Sequence, residues 1–580
     1  MKKIILLLLI LGINFKSHAQ INPDNIEIIR DAYGVPHIYA ATDVEVAYGF
    51  AWAQAEDHFK LLQEAYIAGN GMLSKHIGLK GAGADFLVQL IQAEKTVDDQ
   101  YHTLDKKFIA LLEGFTQGLN AFANKYPKEV LQKALFPLTP KKLLRYTQLQ
   151  LFISNGADKL VKGIVNNELS WPYEIEQDTK GSNLLAISRS RTQTNETFLA
   201  INTHQPLEGP TSWYEAHLVS EEGTNIIGAT FPGSPCVLTG ANAFLGWTHT
   251  VNYPDKADVY ALEMHPSKKD VYLVDAEEYR LEKYKARVYF KFLGMRIPVK
   301  KTFYKSIYGP TLKNKTGVYA VRTPSTTNIN AIEQWWKMNK AKNFTEFYKA
   351  LEMKALPGYN IGYADRNDTI FYISNGKIPI RAEGYDWTDV VPGNTRATLW
   401  DTYYDIKDLP QVVRPKSGFV YNANHTPFKS SGKADNPKPE NFAKAMNFET
   451  LILKKKLANK IKLLGQVSPQ KLHSITPLAD LGISLEEDLG LNYRYALPNK
   501  IFDYLQAEVP VLVADLPEMK KIVTAYKVGE IVADNTPKML AKQIEKLLEK
   551  NFSVALKAAK NDLIWEHQEQ ELLAIFERLQ

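Results

Sequence analysis

Apolar and polar positions alternate between residues 25 and 39, across Arg30-Asp31-Ala32-Tyr33-Gly34-Val35-Pro36-His37-Ile38. That is the pattern of a strand, a turn and a strand. Asp43 then caps a helical pattern that passes through Ala51-Trp52-Ala53-Gln54-Ala55-Glu56-Asp57 and ends near Ile67. Further helical patterns occupy residues 106–125 and 141–159. From Ser182 to about Tyr260 strand signals dominate, broken by Gly and Pro, and they resume over 287–321 and 359–391 with a helix over 343–353 between them. Helices on one side and two blocks of strands predict a layered α/β protein with mainly antiparallel sheets. Beyond about residue 450 the texture changes. Short apolar runs such as Val509-Pro510-Val511-Leu512-Val513 alternate with helical stretches, the last from about Pro537, which reads as βαβ units on a parallel sheet.

The first nineteen residues stand outside this pattern. Lys2 and Lys3 precede an apolar run from Ile4 to Ile13, and Ser17-His18-Ala19 supplies small residues for a cut after Ala19. This is the make-up of a secretory signal peptide, because the run is too short to span a bilayer. With no later spanning stretch, the expectation is a secreted, periplasmic protein. The composition is globular, with 45% hydrophobic and 23% charged residues. The net charge of +6 is spread along the chain without a dense Lys/Arg block, so no nucleic-acid partner is expected. The single cysteine, Cys236, excludes an internal disulfide and reads as a small buried strand residue in Pro-Gly-Ser-Pro-Cys-Val-Leu. His37, His58 and His76 lack metal-type spacing and read as structural.

Chemistry concentrates at Lys180-Gly181-Ser182-Asn183-Leu184-Leu185-Ala186-Ile187-Ser188. One reading is a plain loop-to-strand junction. The other is a self-cleaving bond, in which a glycine takes a strained backbone and lets the serine hydroxyl approach its carbonyl. Cleavage would leave Ser182 as an N-terminus whose α-amine, titrating near roughly pH 7.7–8.0, serves as a general base.

The surrounding motifs carry a resemblance. Arg30-Asp31-x-Tyr33-Gly34-Val35-Pro36-His37-Ile38 and Ala53-Gln54-Ala55-Glu56-Asp57 resemble the start of the penicillin acylase family of N-terminal-nucleophile hydrolases, which includes acyl-homoserine-lactone acylases. Gly181-Ser182-Asn183 resembles its processing site. Asn202-Thr203-His204-Gln205-Pro206, Trp213-Tyr214-Glu215, Gly240-x-Asn242, Trp247-Thr248-His249-Thr250-Val251, Asn360-x-x-Tyr363-Ala364-Asp365, Pro379-x-Arg381 and Asn422-Ala423-Asn424 follow in order. The resemblance implies a four-layer αββα sandwich, truncated here, made as a precursor. It implies Ser182 as nucleophile, His204 near its amine, and the Val251 N–H with the Asn360 side chain as oxyanion hole, with Arg381 supporting Asn360 or the substrate. An asparagine donates to a developing oxyanion without adding charge, and one such donor is worth roughly 2.7–4 kcal/mol. The substrate would be a small N-acyl amide of the penicillin or acyl-homoserine-lactone type, with Gln205 near the acyl pocket. The cut chains would stay together as a heterodimer. The reaction requires no cofactor. Asp255, Ala257 and Asp258 match a segment that binds structural calcium in some members, two carboxylates and a carbonyl suiting a hard cation; the alternative is a solvated acidic turn. A spacer over residues 167–181 would be a second processing target.

After about residue 440 the match to that family stops. Ser484-Leu485-Glu486-Glu487 and Pro498-Asn499-Lys500 resemble the sugar-nucleotide half of a GT-B glycosyltransferase, with Glu486, Glu487, Asn499 and Lys500 as the matching residues, against a solvated loop and helix start. The predicted organisation is a signal peptide (1–19), an acylase α-chain-like region (20–181), a truncated β-chain-like region (182–445) and a Rossmann-like α/β half-domain (450–580). A self-processing amidohydrolase leads. A sugar-nucleotide-binding protein and an inactive fusion of two truncated proteins are the rivals.

Overall fold

A computed structural model of the chain describes residues 20–154, 156–167, 181–252, 254, 256–292, 295–443, 446, 469–488, 491–532, 536–564, 566 and 569. The expected signal peptide (1–19) and residues 168–180 of the expected spacer lie outside the described residues. The chain divides into two compact units, residues 1–205 with 210–452 and residues 453–580 with 206–209. Among the described residues no helix is long and apolar enough to cross a membrane.

The first unit is built in layers. The opening hairpin forms as predicted, with Glu27–Arg30 antiparallel to Pro36–Ala40. The next helix, Asp43–Gly69, is capped by Thr42 rather than Asp43. The Thr42 hydroxyl accepts from the Glu45 N–H while Glu45 reaches back to the Thr42 N–H, a capping box. The Asp43 carboxylate instead accepts from Ser220, Thr224 and Lys340 and ties the helix start to the sheet. Lys106–Lys125 is a helix over its predicted span, whereas the pattern over 141–159 divides into Pro140–Ser154 and Ala157–Asn166 around Gly156, whose φ of 74° is left-handed. A helix that the sequence pattern did not reveal, Ala331–Lys340, precedes Phe344–Leu351. Phe50, Phe115, Trp335 and Phe347 from these helices share one core with Leu218, Trp247 and Tyr363 of a nine-stranded sheet.

In that sheet the pairings are antiparallel apart from Pro36–Ala40 with Tyr214–Ser220. A second, three-stranded sheet, ordered Phe419–Asn422, Ser182–Ile187, Phe198–Thr203, packs on its other face. Leu184, Ala186, Leu199 and Val420 meet Ala364, Ile370, Tyr372 and Val412 in the inter-sheet core. Glycines in the large sheet let the two sheets close. A Cβ on Gly362 would stand 2.8 Å from Leu184 Cδ1, and one on Gly246 3.0 Å from Leu199 Cδ2. Helices, large sheet and small sheet thus form three layers of an αββα sandwich. On the small sheet's outer face Leu185 is 37% and Phe198 48% exposed.

Alongside, a six-stranded sheet carries the long hairpin Glu282–Phe292 and Met295–Ser306 and closes on a core around Tyr260, Tyr308 and Trp400. The second unit has the predicted parallel sheet, Gly482–Ser484, Val511–Ala514 and Gly529–Val532. Helices Asn499–Gln506, Pro517–Tyr526 and Ser553–Asp562 bury Ile501, Met519 and Leu556 against it.

Candidate active site

Strand Ser182–Ile187 alternates buried and exposed positions, and the period of two turns Ser182 inward with Leu184 and Ala186. The Ser182 Oγ–H donates to the Gly181 carbonyl at 2.6 Å, and the Ser182 N–H donates to Asn424 Oδ1 at 2.5 Å. The same carbonyl accepts from the His204 backbone N–H at 3.0 Å. Gly181 has no left-handed φ; a Cβ there would lie 3.2 Å from Asn424 Oδ1 and 3.3 Å from His204 Nδ1. Glycine is suited to this position by close approach, not by the strained backbone that the sequence suggested.

Two strands of the large sheet supply the next groups. Leu245–Thr250 leads to Val251, and Asn360 lies opposite Thr250 on Gly358–Asp365. The Asn360 Nδ2 lies 3.0 Å from the Val251 carbonyl, 3.1 Å from Thr250 Oγ1 and 3.2 Å from Asn422 Oδ1. Its Oδ1 accepts from the Tyr372 hydroxyl at 2.8 Å. Burial pushes the Tyr372 pKa far up, so that hydroxyl stays a donor. Asn422 Oδ1 also accepts from Thr250 Oγ1 at 2.7 Å and from the Asn424 N–H at 2.8 Å. Asn424 Nδ2 donates to the Val251 carbonyl at 3.2 Å. One hydrogen-bonded chain therefore runs from Ser182 through Asn424 and Val251 to Asn360.

Ser182 and Val251 line a cavity of about 720 Å³ whose wall is mostly apolar, including Leu149, Trp213, Phe231 and Trp335. Gln205 also lines it; His204 does not, and its exposed ring has Nε2 3.3 Å from Asn183 Nδ2. His249 was not singled out by the sequence. It is buried beside the cavity, accepts at Nε2 from Trp335 Nε1–H at 2.9 Å, and packs against the Tyr359 ring. Because Nε2 accepts, the neutral ring carries its proton on Nδ1, which makes no well-aligned hydrogen bond. Burial lowers its pKa to about 4, opposed in part by the backbone at Leu238 and Asn360.

The other predicted residues have partners of their own, and Ala257 lines the same cavity as Ser182. Arg381 Nε donates to Asp258 Oδ2 at 3.0 Å, with both side chains fully buried, and Trp400 Nε1 donates to the same oxygen at 2.6 Å. The predicted support residue and a predicted calcium ligand thus form an ion pair. Ala257 is buried and Asp255 lies outside the described residues. Among the described residues no three acidic, imidazole or thiol side chains converge. Cys236 is buried, and burial pushes its thiol up to about 12, consistent with a structural residue. In the second unit Lys500 Nζ pairs with Glu486 Oε1 at 2.5 Å, Asn499 begins a helix and Glu487 is exposed. Burial raises the Glu486 carboxyl, but the bonds from Lys500 and Ser484 outweigh it and hold the group below its ordinary value.

Two stacked sheets beneath a helical layer, with a glycine–serine bond opening the small sheet's central strand, define the N-terminal-nucleophile hydrolase fold class. The chain belongs to the penicillin amidase family, whose family model matches residues 25–450. A second family model, glycosyl transferases group 1, matches residues 443–562. The chain is 24% identical over 395 residues to the acyl-homoserine lactone acylase PvdQ of Pseudomonas syringae pv. syringae (strain B728a), covering 61% of this chain and 51% of that protein. It is 21% identical over 519 residues to penicillin G acylase of Escherichia coli, covering 72% and 61%. A solved structure of thermostable penicillin G acylase from Alcaligenes faecalis aligns at 23% identity and TM-score 0.39, covering 44% of this chain and 47% of that one. The chain spans about half to three fifths of the length of these curated relatives.

Proposed function

We propose that the first unit is a secreted, self-processing amidohydrolase that cuts its own Gly181–Ser182 bond and then hydrolyses a small N-acyl amide from Ser182. The observation that carries this reading is the grip on that bond. The Ser182 hydroxyl lies on the Gly181 carbonyl and Asn424 holds the scissile nitrogen, beside an apolar cavity. Oγ would attack the Gly181 carbonyl carbon as its proton passes to the departing nitrogen, and water would release the resulting ester. In turnover the freed α-amine takes the Oγ proton while Oγ bonds to the substrate carbonyl carbon, then passes it to the leaving amine; water cleaves the acyl-enzyme. The Val251 N–H and Asn360 Nδ2 are assigned to the oxyanion, Asn360 releasing one of its present acceptors to do so. His204, beside Gly181, is assigned to orient the amine.

The mostly apolar cavity favours an apolar acyl group. The relatives named for acyl-homoserine lactone and penicillin G point to amides of those types. Residues 1–19 would direct export and be removed by a cut after Ala19, and the cut chains would stay paired, because both sides of the cut contribute to one core. Sugar-nucleotide binding by the second unit rests on its own family match; the Lys500–Glu486 pair spends that cation on a carboxylate, which counts against phosphate binding.

Intact mass and N-terminal sequencing of the expressed protein test the reading. The expected product begins at Ser182, and Ser182→Ala stays uncut and loses amide hydrolysis. An uncut wild-type chain, or hydrolysis retained in Ser182→Ala, refutes it.

A further inference from the structure

We infer that Asn424 is a positioning residue for the Ser182 nitrogen, holding it first as the scissile amide and then as the α-amine base. The inference rests on the N-terminal-nucleophile reading and adds a residue to it. Three observations support it. Asn424 Oδ1 accepts from the Ser182 nitrogen at 2.5 Å, whereas its Nδ2 donates to the Val251 carbonyl at 3.2 Å. An N–H at one end and a carbonyl at the other need an acceptor and a donor on one short side chain, which an amide provides and a carboxylate or hydroxyl does less well. The backbone of Asn424 is held left-handed, at φ 60°, and its N–H is bound by Asn422 Oδ1 at 2.8 Å. Asparagine tolerates that conformation better than other side-chain-bearing residues do. Finally, Asn422 Oδ1 and the Val251 carbonyl each also contact Asn360 Nδ2, so the grip on the nitrogen and the amide assigned to the oxyanion share two anchors.

Once the bond is cut, the same Oδ1 accepts one N–H of the amine. That leaves the nitrogen's lone pair to be directed at Oγ rather than free to rotate. The amine takes the Oγ proton as Oγ bonds to the substrate carbonyl carbon, and returns it to the leaving nitrogen.

The test uses the full chain with Asn424→Asp and Asn424→Gly, both of which suit a left-handed residue. Hydrolysis of N-decanoyl-p-nitroanilide is followed against pH, alongside intact mass. His204 and His425, the titratable side chains beside this turn, are unchanged in both variants. A carboxylate in place of Oδ1 favours the protonated amine, so Asn424→Asp is expected to raise the acid limb of kcat/KM by about one pH unit or more. Asn424→Gly is expected to lower kcat about tenfold or more with KM within about twofold, since the base loses its orientation but the cavity is untouched. An Asn424→Asp limb that coincides with wild type, or an Asn424→Gly kcat equal to wild type, overturns the inference. If Asn424→Asp folds but stays uncut, the kcat and KM of Asn424→Gly decide. A wild-type chain that is never cut, or is cut and inactive, removes the underlying reading and this inference with it; a cut, active wild type with unmoved variants removes this inference alone.

Discussion

Replacing His249 by Gln removes a group whose protonation the fold resists. Buried between Trp335 and Tyr359, it titrates near 4 in the folded protein against an ordinary 6.5. A gap of about 2.5 units corresponds to about 3 kcal/mol at roughly 1.36 kcal/mol per unit. The sign follows from where the proton binds. Between pH 6.5 and 4 the unfolded chain protonates this ring and the native chain does not, so stability is full above 6.5 and drains away as pH falls towards 4. The expected result is a wild type that is more stable than His249→Gln at pH 7 and loses about 3 kcal/mol relative to it by pH 4. Urea unfolding followed by tryptophan fluorescence at pH 7, 6, 5 and 4 measures the difference, with the other titrations common to both proteins. Parallel stability curves across that range would refute the buried, neutral assignment. A wild type that gains on the variant at low pH would do so more strongly.

Other expectations concern how the layers are held. Gly362→Ala drives a methyl into Leu184 and is expected to cost about 1–3 kcal/mol, with the cost reduced when Leu184 is shortened to Val; a double-mutant cycle by urea unfolding measures this. Arg381→Met strands the buried Asp258 carboxylate and is expected to cost about 3–5 kcal/mol, most of it recovered by adding Asp258→Asn; equal losses in the single and double variants would deny that the pair is coupled.

The sequence revealed the layers better than it revealed the contacts between them. Alternation and helical spacing are local, so the opening hairpin, the helix Lys106–Lys125 and the parallel sheet of the second unit were all readable. By residue type Thr42 and Asp43 are equally good caps, and the Asp43 carboxylate is claimed by Ser220, Thr224 and Lys340, which are remote in sequence. The ordered motifs name Ser182, Val251 and Asn360, which one hydrogen-bonded chain joins, but not what holds them. Asn424 lies 242 residues from Ser182, and nothing in its neighbourhood marks it as a partner of that nitrogen. Arg381, which the resemblance assigns to support Asn360 or the substrate, pairs with Asp258, 123 residues away in sequence, a contact that no local pattern announces. The cavity, formed where several distant elements meet, has no local signature at all.

Strand Ser182–Ile187 lies in the middle of its sheet, with Phe419–Asn422 hydrogen-bonded along one side and Phe198–Thr203 along the other. A chain end ordinarily frays, because nothing fixes its last residues. An end created at Ser182 would instead be born already clamped, its first residue in register with Thr203 and its third with Asn422. Severing the backbone there would leave both edges of that strand paired: the new N-terminus would be held in one orientation, as a base that must meet its substrate requires.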